Sequence, residues 1–161
     1  MNKLQEIIHF IISAYPENKR QDLSNARLTK LVFLSDWRNV LLTPDAKSIS
    51  DIKWFFHNYG PYVQDVCDAA SEEFFTKTPH GTALYISIKN TNYNYKHLTE
   101  PEKNVICKVI ELTKDFSFNK FIDFVYSTYP IKTSRRYTYI NLQEKKNERT
   151  NLLAAKNQTA Q

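Results

Sequence analysis

Residues 28–61, LTKLVFLSDWRNVLLTPDAKSISDIKWFFHNYGP, decide the fold of this 161-residue chain. The stretch begins inside a strongly apolar segment from Arg27 to Leu42, then passes through a polar connector into the aromatic run that precedes Pro61. Apolar residues of the first segment recur at helical spacing and cover most of the helical circumference, which is typical of a helix buried on nearly all sides. We therefore predict a central helix with the rest of the chain packed around it.

The end of this stretch predicts a tight corner. Gly60, one of only two glycines in the chain, lies between Tyr59 and Pro61. Glycine permits backbone conformations that other residues resist, and proline suits the start of a helix because its φ is already close to helical. We predict a short strand within residues 49–56, then the corner, and then a helix over residues 62–75.

Further helices are predicted on both sides of this stretch. Apolar spacing indicates helices over residues 3–15 and 118–129, each ended by a proline, and Ser24 or Asn25 is positioned to cap the central helix. A capping-box pattern starting at Thr99 begins a helix that runs to about Lys114.

A small β-hairpin is predicted between these helices. Residues 83–88 have the pattern of a strand, and residues 95–98 are predicted to pair back with it across an intervening polar loop. The fold class that follows is α+β and mainly helical, with about five helices and one small hairpin.

The net charge of +5 is concentrated at the C-terminus. Residues 132–161 contain seven basic and two acidic side chains, which leaves 15 of each sign in residues 1–131. The tail also has few apolar residues to bury, a composition typical of weak order. We predict a globular domain over residues 1–131 and a basic, partly disordered C-terminal extension over residues 132–161.

Composition argues against several classes of protein. No run of about 18 apolar residues is present and the N-terminus lacks the pattern of a secretory signal, so we expect a cytoplasmic protein without a membrane span. The two glycines lie too far apart for a glycine-rich phosphate loop. The two cysteines and four histidines lack the short paired spacing of metal ligands. We expect no cofactor, no metal and no small-molecule substrate.

Two residues are the strongest candidates for catalysis. Asp36 lies among the apolar residues of the central helix, where burial could raise the pKa of a general base. We favour a structural role, because buried carboxylates usually accept hydrogen bonds or pair with an arginine, here Arg27 or Arg38. His57, beside the predicted corner, is expected to be hydrogen-bonded within it. No serine or cysteine nucleophile with an evident base accompanies them, so we expect no catalytic residues and no enzyme.

The motifs of the central stretch resemble a known family. Leu28-Thr-Lys-Leu31, Phe33-Leu-Ser-Asp-Trp37 and Tyr59-Gly-Pro-Tyr-Val-Gln-Asp-Val66 are similar to motifs of the Panacea (SocA-like) antitoxin domain. The resemblance covers roughly residues 1–130 and depends mainly on the spacing of about 30 residues between the first motif and the corner. The tail beyond Ile131 has no counterpart in it. The family residues that this resemblance places in structural roles are Leu28, Lys30, Leu31, Asp36, Trp37, Tyr59, Gly60 and Pro61.

The resemblance implies an antitoxin that neutralises a separately encoded toxin by binding it. Our candidate for the toxin-binding surface is the acidic side of the predicted third helix, because an acidic surface complements a toxin that binds RNA or nucleotides through basic groups. Its residues are Asp65, Asp68, Glu72 and Glu73.

The alternative is a nucleic-acid-binding regulator that uses its tail, with operator DNA as a possible partner. The tail contains the only patch in which basic and aromatic residues alternate, and such a patch could contact phosphates and stack on bases. The candidate residues are Arg135, Arg136, Tyr137, Lys145 and Lys146.

Overall fold

Helix α2 (Asn25–Leu42) runs through the centre of the molecule, as predicted. The structure is a computed structural model that describes residues 1–159. Ser24 caps α2, since its hydroxyl accepts a hydrogen bond from the backbone N–H of Arg27 at 3.2 Å. Leu28, Val32 and Phe33 are fully buried. The apolar pattern around the helix thus reflects contacts on nearly every side.

Helices α1 (Lys3–Ala14), α4 (Glu100–Thr113) and α5 (Phe118–Ser127) pack against α2. The capping box of α4 forms as predicted, because Thr99 accepts from the amide of Glu102 and the Glu102 carboxylate accepts from the amide of Thr99. A 3-10 helix (Glu17–Asp22) joins α1 to α2, and a short α6 (Tyr129–Lys132) follows α5.

A three-stranded antiparallel sheet lies beside these helices, in the order β2-β1-β5. The central strand β1 (Trp54–His57) pairs on one side with β2 (Gly60–Pro61) through a two-residue turn. On its other side it pairs with β5 (Tyr139–Ile140), where Trp54 lies opposite Ile140. The mainly helical α+β fold class is confirmed.

The predicted helix over residues 62–75 is mostly wrong. Only α3 (Asp65–Ala69) is helical there, and Pro61 belongs to β2 instead of starting a helix. Phe75 begins strand β3 (Phe75–His80) and is fully buried. Pairing with the strand over residues 83–88 and burial of Phe75 outweigh the helical spacing of the preceding apolar residues.

The predicted hairpin has the wrong partner strand. Strand β4 (Ala83–Ile88) pairs with β3, and residues 95–98 form no strand. The buried carboxylate of Glu6 accepts the backbone N–H groups of residues 96, 97 and 98 at 2.7–3.1 Å. These amides are thus bound to a side chain of α1 and are unavailable for a strand ladder.

The C-terminal segment is more structured than its composition predicts. Helix α7 (Leu142–Thr159) covers the part for which weak order was expected. It is anchored at its start, where Ile140 and Leu142 are buried, whereas residues 150–159 are exposed. The prediction of disorder ignored these two apolar anchors. The domain boundary at residue 131 stays a prediction.

Candidate partner-binding surface

Asp36 fixes the connector that leads from α2 to β1. Its carboxylate accepts the backbone N–H groups of Ile49 and Ser50 and the indole N–H of Trp54, each at 2.9 Å, together with the Ser50 hydroxyl. Complete burial raises the pKa of this carboxyl, and the four hydrogen bonds oppose that effect. Of the two expected alternatives, the structure shows hydrogen bonds to the carboxylate and not the arginine pair. The role of Asp36 is to hold the connector in place.

Arg27 and Arg38 make other contacts. The guanidinium of Arg27 donates to the hydroxyl of Tyr15 at 3.3 Å and to the backbone carbonyl of Phe116 at 3.2 Å. The Nε atom of Arg38 is buried, with no hydrogen-bond partner in the described part of the chain. The donors that reach Asp36 instead come from Ile49 and Ser50 of the connector and from Trp54 at the start of β1.

The two main motifs meet at Gly60. This residue has φ +102°, which favours glycine, and a Cβ atom built on it would lie 3.7 Å from Cε of Lys30 and 3.6 Å from the ring of Tyr126. The corner therefore packs against both the Lys30 side chain and α5. Lys30 is only 2% exposed, and its burial lowers the pKa of the ammonium to about 8.

Most motif residues have the structural roles that the resemblance implied. Leu28, Leu31 and Trp37 lie in the core, and Gly60 and Pro61 are buried in β2. Tyr59 differs, because it occupies the turn between β1 and β2 and is 78% exposed.

Exposed and half-buried rings cover the outer side of the three-stranded sheet. We call this surface the aromatic face. The ring centroids of Phe55 and Tyr139 lie 5.1 Å apart, and His57 lies 6.0–6.2 Å from Phe55, Tyr62 and Tyr137. The aromatic face consists of Phe55, His57, Tyr59, Tyr62, Tyr137 and Tyr139, with Tyr59 at its edge.

Tyr137 is held in an unusual backbone conformation at this surface. Its φ is +66°, a region that bulky residues rarely adopt, and its ring is 62% exposed. The backbone N–H of Tyr137 donates to the carbonyl of Phe56 at 2.6 Å, and its hydroxyl donates to the side-chain oxygen of Asn58. Such strain is often found at functional sites.

A shallow groove of about 600 Å³ follows the aromatic face. Charged side chains of both signs border it: Asp51 and Asp65 are acidic, and Lys53 is basic. The arrangement offers apolar contact area with charged groups at its margin, which is the composition of many protein–protein interfaces.

The four predicted acidic residues are exposed but do not form one helical surface. Asp65 and Asp68 lie on α3, and Asp65 also lines the groove. Glu72 and Glu73 lie beyond the end of α3, in the turn before β3. The early end of α3 therefore separates them into two pairs.

The five predicted nucleic-acid contacts are also divided. The guanidinium of Arg136 lies 5.7 Å from the ring of Phe56 and 5.9 Å from that of Tyr126. Lys145 and Lys146 donate to the backbone carbonyls of residues 133 and 43, respectively. Arg135 is exposed and Tyr137 belongs to the aromatic face. Several of these residues therefore attach the C-terminal segment to the rest of the protein.

Sequence reasoning missed the pairing that assembles the aromatic face. Two short period-two patterns indicate it, because Phe55 and His57 alternate with buried Trp54 and Phe56, and exposed Tyr139 precedes buried Ile140. Each pattern is too short to identify its partner strand.

Residues 28–130 match the family described as antitoxin SocA-like, Panacea domain. No curated protein and no solved structure matches significantly. Among the described residues, no helix combines the length and apolar character needed to span a bilayer. The family match covers more than half of the chain and includes the Asp36 network, Lys30 and the corner at Gly60. The chain therefore belongs to the SocA-like Panacea antitoxin domain family.

Proposed function

We propose that this protein is the antitoxin of a toxin–antitoxin system and neutralises its cognate toxin in the cytoplasm by direct protein–protein binding. Membership of the antitoxin family supports this proposal. It acts as a binding module and not as an enzyme, since Asp36 is occupied by the connector and His57 packs among aromatic rings.

The observation that carries the proposal furthest is the aromatic face. Tyrosine offers a large contact area at little cost in side-chain entropy and is enriched among the residues that dominate binding energy. Edge-on contacts between neighbouring rings, such as the 5.1 Å pair of Phe55 and Tyr139, fix these side chains before binding. We propose that the toxin contacts this surface.

The acidic residues extend the proposed contact. Asp65 borders the groove and Asp68 lies one helical turn further on α3, hydrogen-bonded to Gln64 at 3.4 Å. Basic groups of a toxin could be steered to them by complementary charge. We retain Asp65, Asp68, Glu72 and Glu73 as proposed toxin contacts, with the first pair nearer to the aromatic face.

Co-expression with the product of the adjacent reading frame tests the function. Rescue of growth together with a co-purifying complex supports the antitoxin proposal. If that product is toxic and this protein neither rescues growth nor binds it, the proposal fails for that pair.

A double variant tests the surface. Tyr137→Asn removes a ring but keeps a residue that tolerates positive φ, and Tyr139→Ser removes a second exposed ring. We expect the double variant to lose rescue while its melting temperature stays close to that of the wild type. The control is Leu112→Asn, which removes a side chain that is 45% exposed on α4. Equal rescue by the wild type, the double variant and the control would exclude the aromatic face as the toxin contact.

Charge reversal tests the acidic contacts separately. Replacing Asp65 and Asp68 by lysine should weaken rescue more than the same change at Glu72 and Glu73, because only the first pair lies near the groove. Unchanged rescue in both pairs would remove these residues from the proposed contact.

Nucleic-acid binding by the tail is the second candidate. The observation that favours it is the exposure of basic residues of the C-terminal segment, including Lys132, Arg135 and Lys156. Truncation after residue 131 is a poor test, because it removes the buried anchors Ile140 and Leu142. Replacing the three basic residues by glutamine is cleaner, and it should abolish a salt-sensitive shift of operator DNA if this candidate is correct. A shift that persists in this variant would contradict it.

A further inference from the structure

A cavity of about 540 Å³ lies where two helices begin. It is on a different part of the molecule from the groove of the aromatic face, with no lining residue in common. The start of α2, the start of α5 and the first residues of β4 enclose it. The lining residues used below are Asp22, Asn25, Ala26, Arg27 and Phe118.

Both helices direct free backbone donors to this cavity. The N–H groups in the first turn of a helix have no acceptor within the helix, and the N-terminus carries a partial positive charge. Ser24 accepts the amides of Arg27 and Leu28, and the antiparallel bridge between Ser24 and Tyr85 directs the amide of Asn25 to β4. The amide of Ala26 is left without an acceptor in residues 1–159. At α5, Ser117 accepts the amides of residues 120 and 121. The amide of Phe118 has no acceptor in residues 1–159.

Arg27 adds a buried positive charge beside these donors. It is only 4% exposed and has no carboxylate partner among the ion pairs of the described residues. Its terminal nitrogens contact neutral oxygens, and its Nε atom is buried without a hydrogen-bond partner in the same part of the chain. The rings of Phe118 and Phe121, at 5.9 and 5.1 Å, hold the guanidinium in position. A buried charge of this kind normally has an anionic partner.

We propose that this cavity is an oxyanion-binding site, in which Arg27 and the first amides of α2 and α5 bind a phosphate or carboxylate group. Helix N-termini are common sites for such groups, and arginine suits their planar or tetrahedral oxygens. The acidic side chain of Asp22 also lines the cavity but is exposed to solvent, which weakens its repulsion of an anion. The site is separate from the proposed toxin contact and goes beyond the proposed function.

The first test uses inorganic phosphate and acetate as probes on the full chain. Each is titrated against chloride at constant ionic strength and pH 7, and backbone amide shifts are followed by NMR. We expect saturable shifts at Ala26 and Phe118. A stronger response to phosphate indicates a phosphoryl ligand, whereas an equal or stronger response to acetate indicates a carboxylate. No saturable shift at these amides with either probe would overturn the proposal.

Variants separate specific binding from general charge attraction. Arg27→Gln should weaken binding of the effective probe by about tenfold or more, the effect of losing one hydrogen bond between charged groups. Lys108→Gln is the matched control, since it removes one positive charge at an exposed position of α4. If Arg27→Gln fails to fold, Arg27→Lys preserves the charge but removes the planar donors, and it should also weaken binding. Equal affinity in wild type and whichever Arg27 variant folds would overturn the proposal.

Discussion

Replacing Lys30 by methionine should stabilise the protein at neutral pH. The ammonium is buried beside Gly60, and no hydrogen bond or ion pair to it is present in the described part of the chain. Its pKa is lowered from 10.5 to about 8. A difference of this size corresponds to about 3 kcal/mol, since each pKa unit is worth about 1.4 kcal/mol. Methionine is an unbranched, uncharged side chain of similar length that can occupy the same space.

The effect should depend on pH in a defined direction. Between pH 8 and 10.5 the unfolded chain retains the proton on Lys30 that the folded protein has released, so wild-type stability rises with pH in this window. The advantage of Lys30→Met should therefore be largest below pH 8 and decrease by about 3 kcal/mol as the pH passes 10.5.

Urea denaturation of both proteins between pH 7 and 11 measures this difference. The comparison at each pH cancels the contributions of tyrosines and cysteines that titrate in the same range. A Lys103→Met variant, altered at a partly exposed lysine paired with Glu100, should show no comparable gain. A Lys30→Met protein that is less stable than wild type at pH 7, or a difference that is constant with pH, would refute the reasoning.

Three further substitutions test other parts of the fold, each by denaturant unfolding. Asp36→Asn should cost about 2–3 kcal/mol, because its amide N–H₂ would face the donor of Trp54 or Ser50; a loss below 1 kcal/mol would contradict the network. Ala46→Gly should add about 0.5–1 kcal/mol, because Ala46 has φ +51°, and a loss would contradict this strain. Thr99→Ala should cost about 1 kcal/mol through loss of the capping box, whereas Thr138→Ala, away from any helix start, serves as its control.

Local patterns predicted helices α1, α2, α4 and α5 well, but not α7, for which weak order was expected. The apolar residues of α1 and α2, the cap at Ser24 and the capping box at Thr99 all lie within a few residues of the helix that they specify. Such signals need no knowledge of the rest of the chain, so they can be recognised in a single sequence.

Pairings between distant segments could not be predicted in this way. The choice of β3 as partner of β4 depends on the burial of Phe75, and residues 96–98 are held by Glu6, about 90 positions away. Likewise, Glu6 is acidic, and nothing in the neighbouring sequence indicated that its carboxylate would be buried and would accept three backbone amides. These features arise from tertiary contacts that outweigh local preference.

The candidate site illustrates the same difference. The sequence identified Tyr59 and Gly60 as a corner and the tail as the location of a patch in which basic and aromatic residues alternate. Only the pairing of Trp54 with Ile140 shows that the tail adds a strand beside the corner.

The pairing of β1 with β5 also affects how the protein is made. Trp54 and Ile140 are 86 positions apart, and a ribosome that adds about 5–20 residues per second needs about 4–17 s to synthesise the chain between them. During that interval the nascent chain has α2 and the connector but lacks the strand that carries Tyr139. A chain released before residue 137 would lack Tyr137 and β5 and so would not acquire the complete aromatic face.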